Sequence, residues 1–189
     1  MLDTVFLCQN FITHLELLFM LPKTLVTERL VIRPFEQADA RFIMVLLNEP
    51  TFIQNIGDKQ IRSIDDAHRY LQQGPMASYQ NFGFGLCCVQ LKENGQPIGM
   101  CGILKRPELN QPDLGYALLP HFTRQGYARE GAQAVLREHA QQFDLQQILA
   151  VTKPSNLASR RLLEGTGFVE HGEIELYGSK NCLYGFRVM

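Results

Sequence analysis

The chain lacks any run of about eighteen uninterrupted apolar residues, so no segment is long enough to cross a membrane as a helix. It also lacks a basic segment leading into an apolar core with a small-residue cleavage site, and a secretory leader is not expected. Its five cysteines, Cys8, Cys87, Cys88, Cys101 and Cys182, contain no C-x-x-C pair. The adjacent doublet cannot clip a metal, and the set reads as free thiols of a reducing compartment with no metal site. An excess of one charge is missing too. The 18 basic residues against 19 acidic ones leave a formal net charge of −1, which argues against a polyelectrolyte surface for nucleic acid and requires any anion site to be local. With no repeat, linker or low-complexity tract, the expectation is a cytoplasmic protein, monomeric or homodimeric, without nucleic-acid or membrane partners.

What is present suffices for one core. Hydrophobic residues make up 46% of 189 and charged residues 20%, and a chain of this length buries ~70% of its unfolded surface. One domain is expected over 23–189, preceded by an extension, 1–22. Its first twenty residues, MLDTVFLCQNFITHLELLFM, are apolar but interrupted by Asp3, His14 and Glu16. Phe11, Leu15 and Leu18 suit an amphipathic helix packed on the domain or on a second subunit; alternatively, Met20 is the true start.

Leu25 to Arg33 alternates as a strand, ended by Pro34. Phe35 to Leu47 places Phe42, Val45 and Leu46 at helical spacing, closed by Asn48-Glu49-Pro50, and Thr51 to Arg62 reads as irregular. Ser63 is an N-cap for a second helix, with Asp65 and Asp66 in its first turn and Gly74-Pro75 at its end. Phe84 to Leu91 and Pro97 to Leu104 form a hairpin around Asn94-Gly95. Gln147 to Thr152 is a strand, and Ser155 or Asn156 starts a helix that Gly165 terminates. Phe168 to Glu173 and Cys182 to Val188 are the closing strands.

The rest of the chain is organised around 113–143. A short apolar strand, Leu114 to Leu119, passes Pro120 and a polar turn into a helix whose first turn carries Gly126, Tyr127 and Ala128. A helix N-terminus has several N–H groups without intrahelical acceptors and about half a positive charge, so a phosphate group meets both needs. Gly126 has no side chain to hold a ligand off those amides. Ala128, Ala132, Val135, Leu136 and Phe143 share one face of this helix, as in a helix packed on a sheet.

Gly115-Tyr116 through Pro120, followed by Thr123-Arg124-Gln125-Gly126-Tyr127-Ala128, resembles the acetyl-CoA-binding segment of the GNAT acyltransferases. The similarity is to the branch that includes ribosomal-protein N-terminal acetyltransferases. The family pattern is Gln/Arg-x-x-Gly-x-Gly/Ala; Gly126 and Ala128 keep it, and Thr123 stands where Gln or Arg is usual. Val151 to Phe168 resembles the family's later strand-helix unit, in the expected order. The resemblance covers Leu25 to the C-terminus. It implies an α/β GNAT fold: a mixed, mostly antiparallel twisted sheet of six to seven strands, flanked by about four helices and splayed between the fourth and fifth strands. It also implies an acetyl-CoA-dependent N-acetyltransferase acting on a primary amine by direct attack in a ternary complex. A catalytically silent CoA-binding sensor or adaptor competes with this reading, as does a peptide-binding or oligomerisation module using the N-terminal segment.

By the same resemblance the amides of Ala117, Leu118 and Leu119 bind pantetheine and polarise the thioester carbonyl, and Thr123, Arg124, Gln125, Gly126, Tyr127 and Ala128 form the diphosphate turn. Asn156 caps its helix and contacts pantetheine. Ser159 approaches the sulfur as a proton donor, or is an ordinary helix serine. Asp113 is the candidate base, one methylene shorter than the usual Glu and therefore working through a water; after Pro112 it also reads as a solvated turn residue. His121 is the rival base. Arg124, Arg129 and Arg160 meet CoA phosphates or are solvated charges. The helical pair before the hairpin lines the acceptor side. At pH 7 an α-amine is ~10% neutral and a lysine below ~0.1%, which favours a protein N-terminus or a small amine as acceptor.

Overall fold

The computed structural model describes residues 21–188, so residues 1–20 of the proposed extension lie outside the described region. Eight strands form one sheet in the order β1-β2-β3-β4-β5-β6-β8-β7. They are β1 (Leu25–Val26), β2 (Leu30–Pro34), β3 (Leu86–Leu91), β4 (Pro97–Leu104), β5 (Asp113–Leu118), β6 (Gln147–Thr152), β7 (Val169–Leu176) and β8 (Ser179–Arg187). Every neighbouring pair is antiparallel except β5 and β6. The eighth strand arises because the single strand expected over Leu25 to Arg33 is folded back on itself. Thr27 Oγ1 accepts from the Leu30 amide at 2.9 Å, and the Thr27 amide donates to the Leu30 carbonyl at 2.9 Å. Leu25 and Val26 thereby pair with Ile32 and Val31.

Six helices flank the sheet among the described residues: α1 (Ala40–Asn48), α2 (Pro50–Asn55), α3 (Ile64–Leu71), α4 (Ala77–Phe82), α5 (Tyr127–Gln142) and α6 (Leu157–Gly165). The two short ones were not expected. Pro50 does not stop α1 so much as start α2, because its fixed φ and missing N–H suit the first helical position. Gly74-Pro75 does not end the second helix either. The chain passes them in a π-helical turn, Gln72–Met76, and re-enters helix until Gly83, whose φ of 77° ends α4. Ser63 caps α3 as expected, accepting from the Asp66 amide at 3.1 Å. At the end of α6 the helix includes Gly165, and the left-handed residue is Gly167 at φ 96°.

Side chains alternate across the strands, and the sheet is covered on both faces. Ala132, Val135, Leu136 and Ala140 of α5 pack with Leu30, Ile32, Cys87, Cys101, Ile103 and Leu114 on one side. On the other, Ile43, Leu46 and Leu47 of α1 and Ala67 and Leu71 of α3 pack with Cys88 and Met100. Cys87, Cys88, Cys101 and Cys182 are buried free thiols within this packing.

Gly102 lets two strand backbones meet. A Cβ on Gly102 would stand 2.2 Å from the Gly85 carbonyl oxygen and 2.8 Å from the Leu86 Cα, both backbone atoms fixed by the β3–β4 ladder. Gly102→Ala should therefore cost about 2–3 kcal/mol, the upper part of the overpacking range. Urea unfolding measures it; a loss below about 0.5 kcal/mol would show that the two strands tolerate a methyl group there.

Candidate active site

β5 and β6 run parallel but are joined at one register point, Asp113 opposite Leu149, where the Leu149 amide donates to the Pro112 carbonyl at 2.8 Å. Beyond that point the two strands part. On its other edge β5 stays zipped to β4 from Asp113 to Leu118. In an antiparallel ladder hydrogen-bonded pairs alternate. Since the Leu119 amide donates to the Ile98 carbonyl at 2.8 Å, Ala117 opposite Met100 has the same parity and points its amide at β4. The expectation that Ala117, Leu118 and Leu119 all offer amides is corrected here: Leu118 alone of the three faces the gap, and Tyr116 joins it.

The gap leads to the turn before α5. Pro120–Phe122 form one 3-10 turn, in which the Thr123 amide and Oγ1 both donate to the Pro120 carbonyl, at 3.2 and 2.8 Å. Thr123, an exposed residue, thus spends its hydroxyl proton within the turn, where the family pattern has Gln or Arg. Arg124 and Gly126 then take left-handed conformations, φ 60° and 86°, on either side of Gln125. Such an alternation turns successive N–H groups to one side, as in an anion nest. Gln125 Nε2 donates to the His121 carbonyl at 2.6 Å, and the first backbone bond of α5 runs from Glu130 N–H to the Gly126 carbonyl. The amides of Arg124, Gln125, Gly126, Tyr127, Ala128 and Arg129 have no acceptor among the described residues. His121 and Arg124 are exposed.

The side chains of β5 divide between its faces. Tyr116 points to the α5–α6 side, where its hydroxyl lies 2.6 Å from Ser159 Oγ in α6. Burial pushes the Tyr116 pKa up to about 12, with the hydrogen bond to Ser159 opposing, so this phenol keeps its proton at neutral pH. Asn156 caps α6 as expected, its side-chain oxygen accepting from the Ser159 amide at 3.1 Å. That bond fixes Ser159 in the first turn of the helix.

Asp113 has the parity of Gly115 and Ala117, which meet Leu86, Leu104 and the α1–α3 packing on the opposite face. It is fully buried, so the solvated-turn reading does not hold. Arg106 Nη2 approaches Oδ2 to 2.7 Å, yet neither carboxylate oxygen has a hydrogen bond of good geometry among the described residues. Burial raises the Asp113 pKa to about 7, against the pull of Arg106 and Lys105 and with a push from Glu108. Asp113 and Ser159 are therefore not brought together; they lie on opposite faces of the strand that borders the gap.

The arginines resolve differently from one another. Arg160 is engaged by the Tyr184 hydroxyl and Glu170, each at 3.1 Å, and Arg129 donates to the Gly165 carbonyl at 2.8 Å, at the C-terminal end of α6. Arg160 is thus paired with a carboxylate, whereas Arg129 has no carboxylate partner among the described residues and keeps its charge exposed. Arg29 and Tyr116 are contacts that sequence reasoning missed. Tyr116 carried a signal, since it shares the inward parity of Leu114 in the quoted motif. Arg29 carried none, because its partners lie about a hundred residues away and are reached only through the fold.

Comparison with known proteins agrees with this geometry. The family model described as Acetyltransferase (GNAT) domain matches residues 29–169. An uncharacterised N-acetyltransferase of Bacillus subtilis, YnaD, is 24% identical over 148 residues, 78% of this chain and 84% of its own. Among solved structures, a ribosomal-protein-S5-alanine acetyltransferase of Vibrio fischeri superposes with a TM-score of 0.75 at 18% identity, covering 88% of this chain and 97% of that one. RimL, a ribosomal L7/L12 α-N-protein acetyltransferase in complex with coenzyme A, also gives 0.75, at 16% identity over 87% and 97%. The family match, the sheet opened between its parallel pair and the unsatisfied amides beside that opening lead to one assignment: the chain belongs to the GNAT acetyltransferase family, as an acetyl-CoA-dependent N-acetyltransferase.

Proposed function

We propose that the protein moves an acetyl group from acetyl-CoA directly to a primary amine in a ternary complex, with a protein N-terminal α-amine or a small amine as acceptor. The observation that carries the proposal is the run of six amides, Arg124 to Arg129, without acceptors among the described residues at the open end of the β5–β6 gap. The turn lies largely at the surface, where water satisfies these amides in the free protein, and a diphosphate offers acceptors that can take its place. The turn from Thr123 to Ala128 would hold that group, and the Tyr116 and Leu118 amides would line the pantetheine path. Acetyl-CoA supplies an acyl group already activated as a thioester.

The remaining tasks fall to the chain. The Tyr116 and Leu118 N–H groups are held in place by the β4 ladder and need no reorganisation to face developing charge on a carbonyl oxygen; one such donor is typically worth on the order of 3 kcal/mol of barrier. Asp113 is the proposed base. With a pKa near about 7 it is ionised at slightly alkaline pH and still basic enough to take a proton. On the other face, Tyr116 and Ser159, 2.6 Å apart, hold a proton available to a departing thiolate. Base and donor on opposite faces of one strand suit an amine entering from the α1–α4 side and a thiol leaving toward α6. A base of this strength serves an α-amine, whose pKa is near about 8, far better than lysine near about 10.4. RimL, named for α-N-acetylation and sharing the fold, points the same way.

Release of free CoA across a panel of peptide N-termini and small amines tests the reading, with Gly126→Glu, which fills the turn, as an inactive control. CoA binding without turnover on any amine would replace it with a CoA-binding sensor. Asp113→Asn should lower kcat by about 10²–10³ and abolish the rise of rate as pH increases through about 7.

The same variant has an opposite effect on stability. The folded pKa of Asp113 lies above its unfolded value near about 4, so its contribution to stability is complete below that pH and is lost as pH rises through about 7. Asp113→Asn loses nothing in that window. Chemical unfolding should show the variant gaining on wild type between pH 4 and pH 8, by at most on the order of 4 kcal/mol. A pH-independent difference would remove the buried-acid account.

A further inference from the structure

We infer that Arg29, in the β1–β2 turn, is a positioning residue for the diphosphate turn, acting through the Gln125 carbonyl; the inference rests on the reading of residues 124–129 as a diphosphate cradle. Arg29 Nη1 donates to the Gln125 carbonyl oxygen at 3.0 Å. The same guanidinium donates through Nε to Glu130 Oε2 at 2.7 Å, and its carbon lies 4.4 Å from the centre of the Tyr127 ring. A Cβ on Gly126 would stand 3.1 Å from Nη2. One planar group thus touches residues 125, 127 and 130 of the turn and the helix it opens, and lies where a side chain on residue 126 would meet it.

The direction of the peptide planes explains why this matters. A carbonyl and the amide of the next residue belong to one plane and point in opposite directions. Holding the Gln125 carbonyl toward β1–β2 therefore aims the Gly126 amide outward, to the side where its neighbours lack acceptors. Pro120 and His121 restrain the Thr123 and Gln125 side chains, but Arg29 is the group that holds a carbonyl in the middle of the turn.

Glu130 anchors the device. Its Oε1 accepts from Thr27 Oγ1 at 2.6 Å and from the Arg29 amide at 2.9 Å, and Oε2 takes the guanidinium. Burial alone would raise the Glu130 pKa, but these hydrogen bonds outweigh it and hold the carboxyl below its ordinary range. An anionic side chain in the first turn of α5 would otherwise compete with a bound diphosphate for the helix N-terminus; the paired cation cancels it. Lysine retains the charge but has neither the planar fork that spans Glu130 and the Gln125 carbonyl nor the flat face that stacks on Tyr127.

The test compares ligands with and without the diphosphate. CoA is titrated calorimetrically into wild type and Arg29→Lys, and S-acetylpantetheine, which carries the arm alone, is titrated as a competitor. Steady-state kinetics with acetyl-CoA follow on any accepted amine. Arg29→Lys should weaken CoA by about tenfold, raise KM for acetyl-CoA in step and leave kcat and S-acetylpantetheine affinity within about twofold. Should that variant not fold, Glu130→Gln, which keeps an acceptor oxygen and loses the ion pair, carries the same pattern at about threefold. Wild-type CoA affinity in the variant, or equal weakening of both ligands, overturns the inference. If wild type itself binds CoA no better than the arm, the cradle reading fails instead.

Discussion

The backbone polar groups released where β5 and β6 separate are the constraint on which the molecule depends. A sheet normally satisfies each strand on both edges, and β5 does so on the β4 side along its whole length. On the β6 side pairing stops after Asp113 and Leu149. The Tyr116 and Leu118 N–H groups that would have entered the ladder are left facing a gap. β6 is kept from collapsing across it by its six-residue pairing with β8, and β5 by its pairing with β4. The opening is thus bounded by two well-paired strands, a slot with rigid walls rather than a frayed edge.

The turn at the mouth of this slot extends the same principle from strand to helix. A helix N-terminus always leaves unpaired amides, but here the preceding residues add to them, because left-handed conformations at Arg124 and Gly126 keep their neighbours from bonding inward. Glycine accommodates its positive φ without cost, whereas Arg124 takes one with a side chain attached. Packing holds the arrangement. α5 is tied to the sheet through Ala132, Val135 and Ala140, and its first turn to the β1–β2 hairpin through Glu130. The hairpin that adds an eighth strand is also the element that grips the turn.

Local signals made some of this legible before the fold was known. β6 was expected over Gln147 to Thr152 and runs over those residues, because a continuous apolar run, Ile148 to Val151, lay between a polar stretch and Pro154. α5 was placed by Gly126 and its apolar face, and α6 by the cap Asn156. The β1–β2 turn was missed because Thr27-Glu28-Arg29 contains no Gly, Asn or Pro; a threonine hydroxyl makes the turn instead. Pro50 and Pro75 were read as stops, although the first opens a helix and the second rides through a π-helical turn. At the site, the turn from Thr123 to Ala128 was readable as a helix start with open amides because it is built from consecutive residues. Which of the amides from 117 to 119 face the gap was not, since that depends on the register with β4. The Tyr116–Ser159 contact, spanning 43 residues, likewise exists only once α6 is seated on the sheet.

Asp113 is the residue whose presence stability does not explain. A carboxyl with no exposed surface and no well-formed hydrogen bond among the described residues is costly to ionise, and the nearby Arg106 offsets only part of that cost, leaving the pKa at about 7 rather than in the usual carboxylate range. Replacing a buried ion pair with apolar residues of similar size is often neutral or stabilising. The neighbouring groups set a balance: a stronger partner than Arg106 would return the acid to an ordinary, weakly basic carboxylate, and none at all would keep it protonated at neutral pH. A position poised between those limits, one residue before the strands part, is where a proton acceptor for an incoming amine is useful and where a structural aspartate has no evident purpose.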